Sequence, residues 1–445
     1  MQRTNKTDAA RYSFLTAISI VIANMVGTGV FTSLGFQLEA TPSGFPILLL
    51  WALGGIAAFC GAMSYAELGA ALPRSGGEYN FLTRIYHPAA GFVSGWVSAT
   101  IGFAAPSALA AITFAAYSVS VFTPDAPDIW RQVVAIALIL VLTLIHTGRR
   151  KASGGLQIFF TGLKISVVIA FCLASAMIID TPQPIALTPI AGDFGLISSG
   201  AFAVSLIYVS YGYAGWNAAT YLSGETANPQ KTLPWILGLG TLIVTVLYIS
   251  LNAVFLKAAP AADMVGKVEI AFIAAKSIFG DVTANGFGIV MAALLISTVS
   301  AMTIAGPRVL QAIGEDFPLF RPFAACNRDG IPFRAIWLQS LVAIFFILTS
   351  SFESILVFAG FTVALNSFFA VIGLFVLRIR EPSLHRPYRV LLFPLTPLVY
   401  LALTGWTLFF ILLERPIEAL SGLGIVAAGA VAYVFMRMFS DERTA

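Results

Sequence analysis

Charged side chains are what this sequence has least of: Asp, Glu, Lys and Arg make up 10% of its 445 residues, against about a quarter in a typical soluble domain. So few charges cannot keep a surface in water, which excludes a water-soluble fold. Histidine is scarcer still, with His87, His146 and His385 the three in the chain. All three fall in loops or at helix ends, and neither H-E-x-x-H nor G-x-S-x-G occurs, so an enzyme working at membrane depth lacks its residues. Cys60, Cys172 and Cys326 show no paired spacing, which excludes a disulfide framework and a thiolate metal site. No metal or cofactor is expected. The net charge of +4 is divided among loops, and no basic patch remains for a nucleic acid.

What the chain has instead is hydrophobic sequence, 58% of residues at a mean hydropathy of +0.88. Apolar runs of about 20 residues, the length that crosses a bilayer as a helix, recur from Ser13 to Met438. Strands of alternating polarity are missing, and hydrocarbon cannot satisfy an open backbone, so every run reads as a helix. The fold class is all-α, polytopic, with the lipid bilayer as solvent. Twelve spans are expected, at 13–36, 45–72, 88–122, 131–147, 154–179, 195–223, 234–256, 285–312, 333–351, 354–378, 391–413 and 416–438. Arg3, Lys6 and Arg11 precede the first span, which lacks a small-residue cleavage site and reads as retained. Basic residues concentrate in Arg149-Arg150-Lys151, Arg321 to Arg334 and Arg378 to Arg389. The positive-inside rule then places both termini in the cytoplasm, in a multi-pass inner-membrane protein. The connection Pro260 to Asp281 reads as an external loop with short helical pieces. The third span is overlong and contains Pro106, so tilt and a kink are expected there.

Two spans carry glycine pairs at mid-membrane. The first reads Ile22-Ala23-Asn24-Met25-Val26-Gly27-Thr28-Gly29-Val30-Phe31 and the sixth Tyr208-Val209-Ser210-Tyr211-Gly212-Tyr213-Ala214-Gly215-Trp216-Asn217. Either pair alone would suit close helix packing. Both together, five spans apart, mark broken helices in corresponding positions of two halves, the signature of a transporter site. The expected organisation is a five-plus-five inverted repeat: tail 1–12, first repeat 13–179, second repeat 195–378, two further helices at 391–438, tail 439–445. Gly27-x-Gly29 is no dinucleotide fingerprint, because Thr32 occupies its last glycine position. Free N–H groups at the start of a half-helix suit a carboxylate, and free carbonyls at the end of one suit an ammonium. A zwitterion meets both, although a polyamine or a cationic amino acid also satisfies the second. A channel would need a repeated filter sequence, which these breaks are not.

Further motifs follow in order: Tyr65-Ala66-Glu67-Leu68, Pro73-Arg74-Ser75-Gly76-Gly77-Glu78-Tyr79, Glu225 with Asn228-Pro229 and Leu233-Pro234, and Gly306-Pro307-Arg308-Val309. With the two breaks, the chain resembles the amino acid–polyamine–organocation superfamily, in particular its L-type amino acid transporter branch and the bacterial exchangers, from about Ser13 to Arg389. The resemblance implies a leucine-transporter-type fold and secondary active transport of an amino acid. It implies a substrate-binding set of Met25, Val26, Gly27, Thr28, Gly29, Tyr211, Gly212, Ala214 and Asn217. The carboxylate would meet Thr28 and Gly29, and the ammonium the carbonyls of Met25, Tyr211 and Ala214. Tyr211 would be an aromatic lid and Asn217 a polar wall residue. Relatives often have serine at Thr28, and the extra methyl points to small or medium neutral substrates.

Lys164 lies near the middle of the fifth span, where an unpaired charge costs at least about 2.5 kcal/mol. The resemblance implies that this lysine takes the place of a sodium ion, bonded to carbonyls near Ala23 and Val26 and to a helix-eight hydroxyl such as Ser300. Transport is then sodium-independent, leaving either exchange, as an antiporter, or symport with a proton that the lysine releases and regains. Glu67, Glu78, Glu225 and Arg308, at the cytoplasmic ends of spans, read as a candidate cytoplasmic gate or as ordinary interfacial pairs. Animal L-type transporters join a glycoprotein through a cysteine between helices three and four. The segment 123–131 has none, so no disulfide-linked subunit is expected.

Overall fold

The computed structural model describes residues 13–441 except 75, 124, 149–153, 180, 227 and 328–329. The basic triplet at 149–151 and both tails lie largely outside the described residues. Regular structure among the described residues is helical throughout. Ten helical stretches there are long and apolar enough to cross a membrane. Two shorter apolar helices, Gly200–Tyr213 and Phe333–Thr349, fall where spans six and nine are expected.

The first span is two helices, α1 (Phe14–Met25) and α2 (Thr28–Ala40). Ser13 caps α1 by accepting from Thr16 N at 3.2 Å. The chain leaves the helix at Val26 (ψ 77°) and turns at Gly27 (φ −125°, ψ −147°) before α2 begins. Next come α3 (Gly44–Ala71), the short α4 (Glu78–Ile85) and the third span, α5 (Pro88–Val97) and α6 (Ala104–Phe122). The kink in that span is a π-helical turn, Ser98–Gly102. It lies N-terminal to Pro106 because proline lacks the N–H that would bond the carbonyl four residues earlier, and its ring crowds that carbonyl, here Gly102.

Helices α7 (Ile129–Gly148) and α8 (Gly154–Ile178) follow, and a single turn, α9 (Asp193–Ile197), precedes the sixth span. That span begins as α10 (Gly200–Tyr213) and opens at Ala214 (ψ 139°) and Gly215 (φ +104°). It resumes as a 3₁₀ helix, Ala218–Glu225. Its tighter winding has local support: Thr220 Oγ1 donates to Asn217 O at 2.7 Å and Ser223 Oγ to Thr220 O at 2.9 Å. Then follow α11 (Pro229–Ala258), the turn α12 (Ala261–Met264) and α13 (Ile270–Ala305), which kinks at Gly280 (φ +77°). Connection 260–281 thus carries the expected helical pieces. Helix α14 (Pro307–Asp316) extends the eighth span past Pro307, and α15 (Arg321–Ala324), α16 (Phe333–Thr349), α17 (Phe352–Arg380), α18 (Leu395–Glu414) and α19 (Pro416–Asp441) complete the chain.

The broken helices run along the seam between two large buried clusters. Met25, Val30, Tyr213 and Trp216 belong to one, and Tyr208, Tyr211 and Val299 to the other. Apolar contact drives association weakly in lipid, so interior polar groups carry much of the specificity. Glu67 of α3, 1% exposed, receives Arg378 in a bidentate pair at 2.9 and 2.6 Å, Val390 N at 2.7 Å and Arg386 at 3.4 Å. This network ties α3 to α17 and to the segment that enters α18. Removing one partner of a buried pair strands the others, a loss of about 3–5 kcal/mol. Glu67→Ala is therefore expected to lower the unfolding free energy of the purified protein in detergent by that amount, read from denaturant titration. A change below about 1 kcal/mol would contradict this role for the pair.

Candidate functional site

The two breaks meet. A Cβ on Gly29 would lie 2.4 Å from Gly212 Cα, and one on Gly215 would lie 2.8 Å from the carbonyl carbon and Cβ of Asn24. Each glycine pair therefore divides its work: Gly27 and Gly215 turn the chain, while Gly29 and Gly212 let α2 and α10 touch. The packing reading and the break reading both describe these glycines.

Tyr248 of α11 links the two chain ends. Its hydroxyl lies 2.5 Å from Met25 O and 3.1 Å from Gly212 O. Met25 O also accepts Gly27 N at 2.7 Å, so both lone pairs of that carbonyl are engaged. Tyr211 O accepts one bond, from Ala214 N at 2.9 Å. At the start of α2 the N–H groups of the first turn have no intrahelical partner and carry the positive end of the helix dipole.

Both ends open on one cavity of about 940 Å³, lined by Met25, Gly27, Thr28, Gly29, Tyr211, Ala214, Gly215 and Asn217 among others. Val26 and Gly212 do not line it. Gly212 is covered by Gly29 and Trp51, and Val26 faces a small void shared with Lys164. The cavity continues past the π-turn and Pro106 to Arg308, Glu315 and Gly330, of which Glu315 and Gly330 are exposed. It thus opens on the face where α1 begins. The opposite end is shut. There Tyr211 is 9% exposed, with its hydroxyl 3.5 Å from Thr28 Oγ1. Beyond it Phe36 stacks on Phe352, with ring centroids 5.6 Å apart. Tyr208 and Arg415 both donate to Glu353 Oε1, at 2.6 and 2.5 Å.

Lys164 is buried and donates to Thr298 Oγ1 of α13 at 2.8 Å. Ser300, the expected partner, is instead 2.8 Å from His146 Nε2 of α7. Two residues turn a helix by about 200°, which sends Thr298 towards α8 and Ser300 towards α7. The expected carbonyls of Ala23 and Val26 receive no hydrogen bond from Nζ among the described residues; Val26 and Gly27 border its void.

The four candidate gate residues do not form one group. The Glu67 carboxylate is engaged by Arg378 and Arg386. Glu78 and Arg308 line the cavity, and the side chain of Glu225 lies outside the described residues. Tyr248, Thr298 and the π-turn were not singled out by sequence. A lone tyrosine or threonine in an apolar run carries no distinguishing signal, and only the helical face separates Thr298 from Ser300.

The profile of the amino acid permease family matches residues 12–430. The chain is 26% identical to the large neutral amino acids transporter small subunit 2 of Oryctolagus cuniculus, across 94% of this chain and 79% of the relative. It is 27% identical to the Asc-type amino acid transporter 1 of Mus musculus, across 96% and 80%, and 25% identical to the b(0,+)-type amino acid transporter 1 of Homo sapiens, across 84% and 77%. A match over almost the whole chain, on a helical membrane fold whose two broken helices share a cavity, means that the chain belongs to the amino acid permease family.

Proposed function

We propose that this protein is a sodium-independent transporter of small to medium neutral L-amino acids that works by alternating access as an exchanger. The observation that carries the reading is that the start of α2, with its unbonded first-turn N–H groups, and the carbonyl end of α10 line one cavity. The substrate carboxylate lies on Thr28 and Gly29, and the ammonium on the carbonyls of Tyr211 and Ala214, while Met25 O is taken by Tyr248 and Gly27 N. Tyr211 covers the substrate, Asn217 lines its side, and Val26 and Gly212 shape the breaks from behind. Lys164 serves as a fixed cation that joins α8 to α13 through Thr298, where a coupling sodium would otherwise sit.

In this reading twelve spans form two inverted repeats, 13–179 and 195–378, followed by the pair at 391–438. Both termini face the cytoplasm of the inner membrane, so the cavity is inward-open. Arg308 and Glu78 border its cytoplasmic mouth. The relatives named as small subunits belong to larger assemblies; the cysteine-free segment 123–131 supports a transporter that works as a single chain.

Radiolabelled neutral amino acid uptake into proteoliposomes holding the purified chain tests the function. Uptake is expected to need internal amino acid and no sodium. Accumulation in empty vesicles under a pH gradient would replace exchange with proton symport, and uptake of polyamines alone would remove the zwitterion reading. Lys164→Ala is expected to slow exchange at least roughly tenfold, about 1.4 kcal/mol at the rate-limiting barrier. Gly29→Ala, whose methyl would sit 2.4 Å from Gly212 Cα, is expected to abolish exchange. A fully active Lys164→Ala variant would refute the account of the fifth span.

A further inference from the structure

The turn Gly76-Gly77-Glu78-Tyr79 joins the second span to the third, and its geometry gives it a task that the substrate contacts do not explain. Gly76 and Gly77 have φ of +116° and +52°, and a Cβ on Gly77 would lie 2.8 Å from Cε1 of Tyr221. Glycine alone lets this backbone take the left-handed region and lie against that ring. Glu78 follows as the first residue of α4, 1% exposed. Its Oε1 accepts from Tyr65 of α3 at 3.0 Å and from Asn217 Nδ2 at 2.6 Å, and its Oε2 accepts from the Tyr221 hydroxyl.

Tyr79 comes next. Its hydroxyl donates to Asp316 at the end of α14, which also pairs with Arg74 at 3.1 Å. Burial first, and the Asp316 carboxylate second, push this phenol above its usual range, so it serves as the donor. Four consecutive residues thus hold both the second half of the sixth span and the extension of the eighth.

The second half of the sixth span needs such a hold. It is a 3₁₀ helix, whose hydrogen bonds are poorer than those of an α-helix, and it is separated from α10 by Gly215 at φ +104°. No continuous ladder carries the rigidity of α10 into it. An ionised carboxylate offers about four acceptor positions and makes hydrogen bonds roughly twice as strong as neutral ones. Two of the three donors that Glu78 collects, Asn217 and Tyr221, line the cavity together with Glu78 itself.

We propose that Glu78 is a positioning residue: its carboxylate anchors the segment Ala218–Glu225 and sets the place of Asn217 in the cavity wall, so that the Gly76-Gly77-Glu78-Tyr79 turn controls substrate affinity at the open face. The affinity part rests on the assignment of Asn217 to the substrate site; the anchoring part does not.

Hydrogen–deuterium exchange on the purified full chain separates the two. In Glu78→Gln and in Tyr221→Phe, peptides covering 214–226 are expected to exchange about fivefold faster than in the unmodified protein, with α10 and α13 unchanged. Unaltered exchange of 214–226 in both variants would overturn the proposal. In proteoliposomes, Glu78→Gln is expected to raise KM at the open face roughly fivefold with Vmax held within about twofold, the pattern of lost uniform binding. A fall in Vmax at constant KM would overturn the positioning role. If the unmodified chain carried no amino acid, the function would fall, and the exchange of 214–226 would still decide the anchor.

Discussion

Hydrocarbon offers no water to a broken helix, so each backbone group freed at Val26–Gly27 and at Ala214–Asn217 must be met by protein or by whatever enters the cavity. Much of the interior follows from that demand. Tyr248 reaches from α11 to the carbonyls of Met25 and Gly212, and Gly27 N turns back to Met25 O. What these bonds leave open is the first turn of α2 and the end of α10, both of which line the cavity. A molecule with a carboxylate and an ammonium on one carbon has the charges to fill both.

The two faces of the protein are held by different means. On the closed face, a stacked ring pair and the ion pair of Glu353 with Arg415 draw α2, α10, α17 and the α18–α19 turn together. On the open face, contacts run through the short turn before α4 to the 3₁₀ segment and to α14. Glu67 with Arg378 and Arg386 binds α3 to α17 and the segment beyond it.

Much of this was legible in the sequence, for physical reasons. Glycine pairs inside apolar runs are costly in a helix and reveal a break wherever they recur at matching places. A lysine at mid-span is as conspicuous, and its burial follows from its depth. What the sequence did not carry is direction. Thr298 and Ser300 differ by two positions and face opposite sides of α13, and Glu67 and Glu78 differ in their partners, arginines for the first and Tyr65, Asn217 and Tyr221 for the second. The weakened turn near Pro106 was foreseeable, but its form, a π-turn four residues upstream, depends on which carbonyl the ring displaces. The 3₁₀ winding after Gly215 depends on Thr220 and Ser223 bonding back to carbonyls, a choice that composition does not reveal.

The central claim is that the two breaks recognise both charges of one α-amino acid. The most direct measurement is competition for equilibrium binding of a radiolabelled neutral amino acid to the purified chain by the same amino acid blocked at one end, as its methyl ester or as its N-acetyl derivative. The account predicts that the free amino acid displaces the label and that neither blocked form does so at comparable concentration. Displacement by either blocked form as effectively as by the free amino acid would contradict it.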